Sequence, residues 1–192
     1  MQSKPRVLLL GDSIRMSYQP IVTALLADRA EVVGPPDNCQ YSLFTLSSLD
    51  RWIQALGKPD IVHWNNGLHD CGHNPNRAPT QIPLEIYTGN LRFTIQQLRT
   101  WTPRIIWATM TPVHTRRPFL ADQWSWRTDE INTYNEAALR LIKSMQVPVN
   151  DLHALVHAHI DEYIVEDGVH LNQQGQEACA KAVVKAVSAC LG

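Results

Sequence analysis

A serine, a histidine and an aspartate stand far apart in this 192-residue chain, in settings that suit proton transfer. Asp167-Gly168-Val169-His170 sets a carboxylate and an imidazole three residues apart. Gly168 permits the tight turn that would let Asp167 reach back to the histidine ring. Gly11-Asp12-Ser13 follows the apolar run Val7-Leu8-Leu9-Leu10 and puts a hydroxyl just beyond a candidate strand. A serine becomes a nucleophile when a base removes its proton, and the base needs a third group to hold its tautomer. Taken singly, Ser13 also suits a helix cap, and Asp167 to His170 also suits a surface loop closed by Asn172.

A third segment, His63-Trp64-Asn65-Asn66-Gly67-Leu68-His69-Asp70, is dense in polar groups at the end of a buried-type strand. Amide or imidazole N–H groups there could donate to an oxyanion. An Asn-Gly turn closing a strand is the alternative. A metal site of His69, Asp70 and His73 is a further one, although the spacing matches no common ligand motif.

These residues need a frame to bring them together. Apolar runs alternate with helical patterns, which predicts an α/β fold with a parallel sheet. The candidate strands are Arg6–Leu10, Glu31–Gly34, Ile61–Asn65, Arg104–Thr111 and Val147–Asn150. Leu46, Leu49, Ile53 and Leu56 recur at helical spacing, with Ser42 as a candidate cap. Leu84, Tyr87, Leu91, Ile95 and Leu98 do so after Pro83, read as a first helical position. Ile131, Tyr134, Ala138, Leu141 and Met145 follow Thr128-Asp129-Glu130, read as a cap and two acids at a positive helix end. A last helix after Asn172 would bury Cys179, Val183, Ala186 and Cys190. In such a sheet, ligands bind beyond the carboxyl ends of the strands, where Ser13, the segment 67–73, Pro112–Arg117 and the Asp167–His170 loop can converge.

The length predicts one domain, residues 1–192, with a substantial core. A net charge of -1, with no basic run, predicts no nucleic-acid partner and no attraction to an anionic membrane. No apolar run approaches a membrane span or a secretory signal, which predicts a cytoplasmic protein. Cys39, Cys71, Cys179 and Cys190 form no Cys-x-x-Cys pair. Cys179 and Cys190, about 16 Å apart along one helix, are too distant for a disulfide. Pairing of Cys39 with Cys71, both in predicted loops, stays open. The loop from Pro112 to Arg117, running on to Trp124 and Trp126, is a candidate pocket wall or lid with Arg116 and Trp124 as substrate contacts.

Gly11-Asp12-Ser13-Ile14, Gly67-Leu68-His69-Asp70 and Asp167-Gly168-Val169-His170-Leu171 together resemble the first, third and fifth sequence blocks of the SGNH (GDSL-type) hydrolase superfamily. The resemblance extends over almost the whole chain. It implies a flavodoxin-like three-layer α/β/α sandwich around a five-stranded parallel sheet, and ester hydrolysis by a serine. Carried over, Ser13 is the nucleophile, His170 the general base and Asp167 its orienting partner, with the Ser13 N–H in the oxyanion hole. Asp12 would join the substrate contacts. Two positions depart from the family pattern. His69 stands where the third block carries an asparagine, so either His69 or Asn66 would supply the side-chain donor. The second block's glycine falls in Gly34-Pro35-Pro36-Asp37-Asn38-Cys39, where the Cys39 N–H is the nearest equivalent. The implied substrate is a small ester, such as an acetylated sugar, with no cofactor and no metal required. A non-catalytic carbohydrate- or peptide-binding module on the same fold is the alternative. Oligomeric state is not encoded in these motifs.

Overall fold

The computed structural model describes residues 4–116, 118–120 and 122–191. Five parallel strands form one sheet: β1 (Arg6–Leu10), β2 (Glu31–Val33), β3 (Ile61–Trp64), β4 (Ile105–Ala108) and β5 (Val149–Asn150). Their order across the sheet is β2-β1-β3-β4-β5. The helices are α1 (Ser13–Leu26), α2 (Ser42–Leu56), α3 (Leu68–Cys71), α4 (Leu84–Leu98), α5 (Thr128–Ser144), α6 (Leu152–His157), α7 (Ile160–Tyr163) and α8 (Gln173–Leu191).

The central strands β1, β3 and β4 are apolar along nearly their whole length because helices cover both faces of the sheet. Leu10 lies beside Trp64, and Trp64 beside Trp107. The two indole rings meet edge to face with centroids 4.7 Å apart. On one side α1 packs along α8, which also contacts α6 and α7. Ile14, Tyr18, Val22 and Leu26 of α1, four residues apart, form its buried stripe. On the other side α2, α4 and α5 pack in series. The result is the three-layer α/β/α arrangement expected from the sequence. No helix among the described residues is long and apolar enough to cross a membrane.

Several boundaries differ from expectation for local reasons. The fourth strand stops at Ala108 rather than Thr111. The Asn135 side chain takes over the Met110 backbone, accepting from its N–H at 2.9 Å and donating to its carbonyl at 3.1 Å. Val147 does not open the fifth strand: its N–H closes the end of α5 on the Ile142 carbonyl. Ser42 and Thr128 are the first residues of their helices rather than caps, and Pro83 is a cap rather than a first helical residue. Ser42 instead donates its hydroxyl to Asp70 at 2.5 Å. In α8, Cys179 and Val183 are buried as expected, but Val187 rather than Ala186 or Cys190 continues the stripe. All four cysteines are free, so Cys39 and Cys71 do not pair.

Candidate active site

Strand β1 ends at Leu10 and the chain turns sharply into α1. Gly11 makes that turn because a Cβ there would lie 2.1 Å from Asn65 Oδ1 and 2.7 Å from Arg15 Cβ. Asp12 caps α1, its Oδ1 accepting from the Ile14 N–H at 3.0 Å. Ser13 is thus the first residue of the helix, where backbone N–H groups have no partner within the helix. The Ser13 N–H makes no hydrogen bond among the described residues.

From the other end of the chain, the 165–171 loop brings in His170. Gly168, at φ 80, allows the chain to fold back. Asp167 Oδ1 accepts from the N–H groups of Val169 (2.8 Å) and His170 (2.9 Å). Its Oδ2 lies 2.6 Å from His170 Nδ1. A carboxylate there accepts, so Nδ1 carries the proton and Nε2 presents its lone pair. Ser13 Oγ lies 2.8 Å from that Nε2. Burial pushes the Asp167 carboxyl upward, but the two backbone N–H bonds and the His170 ring outweigh it and hold it below the usual carboxylate range. His170 and Asp167 side chains are 47% and 48% exposed, so this end of the line faces solvent.

Beyond Ser13 opens a cavity of about 350 Å³. Its polar wall is Asp12, Ser13, Asn38, His69 and His170. Leu68, Val169, Trp124 and Trp126 supply the apolar wall. Trp124 and Trp126 stack at 5.8 Å, and the His69 ring meets Trp124 edge to face at 5.2 Å. The Trp126 indole donates to the Leu68 carbonyl at 2.6 Å, which fixes this wall to the start of α3. Burial lowers the affinity of His69 for a proton, and nearby His170 adds to that against the pull of Asp12, so His69 is neutral at pH 7.

Ser13, His170, Asp12, His69 and Trp124 therefore meet around one cavity, with Asp167 behind the His170 ring. Three expected contributors do not join them. The Cys39 N–H already donates to the Gly11 carbonyl at 3.1 Å and is not free for an oxyanion. Asn66 is fully buried, its Oδ1 accepting from the Trp64 indole at 2.6 Å and its Nδ2 donating to the Gln40 carbonyl at 2.9 Å. The Arg116 side chain is 80% exposed, beside Asp161 at 3.5 Å, and does not line the cavity. Arg117, in the same loop, lies outside the described residues. That loop instead props the turn that carries His170: the His114 N–H donates to the Gly168 carbonyl at 2.8 Å, and His114 Nε2 lies 2.9 Å from Asp161.

The side chains of the alternative metal set diverge. Asp70 accepts from the Ser42 N–H and hydroxyl. His73 lies between the Ala78 carbonyl and Glu130, 2.6 Å from each. Among the described residues no group of three or more His, Cys, Asp or Glu could hold a metal ion. The Trp124–Trp126 stretch forms a wall as expected, whereas sequence reasoning missed Asn38, Leu68 and Val169 as wall residues. Asn38 alone left a signal, as the polar end of the turn-rich run Pro35-Pro36-Asp37-Asn38.

A five-stranded parallel sheet with a serine, a histidine and an aspartate joined at its carboxyl edge defines a hydrolase-type fold and site. Residues 9–178 match the GDSL-like Lipase/Acylhydrolase family, and the chain belongs to it. It is 28% identical over 198 residues to the isoamyl acetate-hydrolyzing esterase 1 homolog of Mus musculus, covering 90% of this chain and 77% of that protein. Its fold is similar to that of a lipase/acylhydrolase from Enterococcus faecalis (TM-score 0.80, 19% identity), over 97% of this chain and 96% of that one. An acetylxylan esterase from Geobacillus stearothermophilus shares the fold at TM-score 0.78 and 17% identity, over 96% and 94% of the two chains. The chain is thus an esterase or acylhydrolase of the GDSL/SGNH type.

Proposed function

We propose that this protein is a serine esterase that hydrolyses small carboxylic esters through an acyl-enzyme, acting as a single hydrolase domain. The observation that carries the reading is the Asp167–His170–Ser13 line, with a contact of 2.6 Å inside one loop and one of 2.8 Å between residues 157 positions apart. Ser13 Oγ attacks the acyl carbonyl carbon as His170 Nε2 takes its proton. The Ser13 N–H at the start of α1 stabilises the oxygen that becomes negative. His170 returns the proton to the departing alkoxide, and the alcohol leaves. Water then attacks the acyl-enzyme, with His170 as base again, and the acid and Ser13 are released.

The cavity supports a small substrate. Its volume of about 350 Å³ suits a short acyl chain with part of its alcohol. The paired Trp124 and Trp126 rings give the alcohol part a flat apolar wall, on which a sugar face or a branched alkyl group can pack. Acetyl esters, including acetylated sugars, are therefore the substrates we infer. The similarity to an isoamyl acetate-hydrolysing esterase homolog supports the acetyl group, and the fold shared with an acetylxylan esterase supports the sugar.

The test is turnover of p-nitrophenyl esters of increasing chain length, with acetylated xylose beside them. Acetyl esters should be cleaved fastest, and Ser13→Ala should lose about three decades or more of turnover with the fold kept. A fluorophosphonate probe should label Ser13 in the wild-type protein. Full activity of Ser13→Ala would overturn the mechanism. Absence of both turnover and labelling would favour a binding module on this fold.

A further inference from the structure

The developing oxyanion needs more than the Ser13 N–H, and two of the three other donors expected from sequence are occupied. The Cys39 N–H faces Gly11, and the Asn66 amide faces Gln40. Besides Ser13 and His170, the polar cavity wall holds Asp12, Asn38 and His69. Asp12 is a carboxylate and only accepts. The choice is between Asn38 and His69.

The orientation of the Asn38 amide is fixed by a group whose role is unambiguous. The backbone N–H of Gln40 donates to Asn38 Oδ1 at 2.7 Å. A backbone N–H can only donate, so the oxygen must be on that side and the NH₂ on the other. Asn38 Nδ2 then lies 3.5 Å from His69 Nε2, its only hydrogen-bond partner among the described residues. Two N–H groups cannot face each other favourably, so His69 Nε2 presents its lone pair and its proton sits on Nδ1. His69 is neutral, as burial requires, and in this arrangement its Nε2 accepts.

The loop carrying Asn38 is held from all sides. The buried Arg15 guanidinium donates to the Pro35 carbonyl at 3.0 Å and the Asp37 carbonyl at 2.9 Å. The Thr45 hydroxyl donates to the Cys39 carbonyl at 2.9 Å. A donor held in this way before substrate arrives costs little reorganisation during reaction. The 3.5 Å contact is at the long limit for a hydrogen bond, which leaves the amide free to exchange it for a shorter bond to a charged oxygen.

We propose that Asn38 Nδ2–H is the side-chain donor to the oxyanion formed on Ser13, and that His69 is the positioning residue that aims it. The assignment rests on the esterase reading above and extends it to a residue of the β2–α2 loop. The experiment is steady-state kinetics on p-nitrophenyl acetate with Ser13→Ala as control. Asn38→Ala should lower kcat about 100-fold or more while KM moves less than about threefold. Asn38→Asp keeps the acceptor for Gln40 and removes the donor, so it should lose at least as much kcat at an unchanged Tm. His69→Ala should lower kcat only about tenfold, and His69→Gln, whose amide oxygen can accept, should recover most of that. Near-normal kcat in Asn38→Ala, or a larger loss in His69→Ala than in Asn38→Ala, overturns the assignment and leaves the triad standing. Activity retained in Ser13→Ala instead removes the esterase reading, and this assignment with it.

Discussion

Two halves of the site are built on different principles. The half around Ser13 and the 35–42 loop is anchored on the buried Arg15 and Asp70, largely by long-range bonds. Arg15, only 2% exposed, reaches the carbonyls of Gly11, Pro35 and Asp37, and Asp70 holds the start of α2 through Ser42. The half around His170 is about half exposed and held mostly by bonds within four residues. Water competes for exposed groups, so a single long-range contact there would hold little. Asp167 answers this with three short-range bonds to Val169 and His170, backed by the His114 link to Gly168. Ser13 and its surroundings depend on core packing, whereas His170 depends on a turn.

That contrast can be broken from either side. The largest effect is expected from Asp167→Asn, which presents the wrong partner to Nδ1. Turnover should fall by about three decades, with stability changed by less than about 1 kcal/mol. Equal losses of stability and activity in urea and kinetic assays would contradict the division. Arg15→Ala should do the reverse in stability. It takes the guanidinium from the Pro35 and Asp37 carbonyls and empties its buried site, and should cost roughly 3 kcal/mol in urea unfolding.

Asp70 sharpens the buried side by pH. Burial, only partly offset by the Ser42 bonds, pushes its carboxyl up to about 7. An unfolded aspartate loses its proton near pH 4, so the folded form binds the proton more tightly between those values. The stabilisation is present at low pH and is lost as pH rises through 7. Tm should decline by a few degrees between pH 5 and 8, and Asp70→Asn should flatten that slope. The smallest effect is expected at the wall: Trp124→Ala should raise KM for acetylated sugars several-fold, about 1 kcal/mol, with kcat little changed. An unaltered KM would remove Trp124 from the substrate contacts.

The same contrast explains what could be read from sequence. Asp167 and His170 were legible because their partnership is local, three residues across a glycine. The sheet was legible because apolar runs without alternation belong to strands covered on both faces. Asn38 was not, because its meaning comes from a backbone N–H two residues on and a ring 31 residues away. Asn66 misled for a related reason: its amide chemistry suits an oxyanion, but Trp64 and Gln40 take both ends of it. Arg116 misled because its charge suggested a ligand while the fold turned it outward. Ser42 looked like a cap and is a buried donor to Asp70, a role set by a segment 28 residues distant.

The packing of α1 along α8 has a consequence for synthesis. The first helix is made before the surface that covers its apolar stripe, which lies at Gln173–Leu191. Until then Ile14, Tyr18 and Val22 lack their final cover, and Ser13 lacks its contact with His170. A nascent chain halted before residue 170 would be inert and sticky, and a chaperone would have reason to hold it.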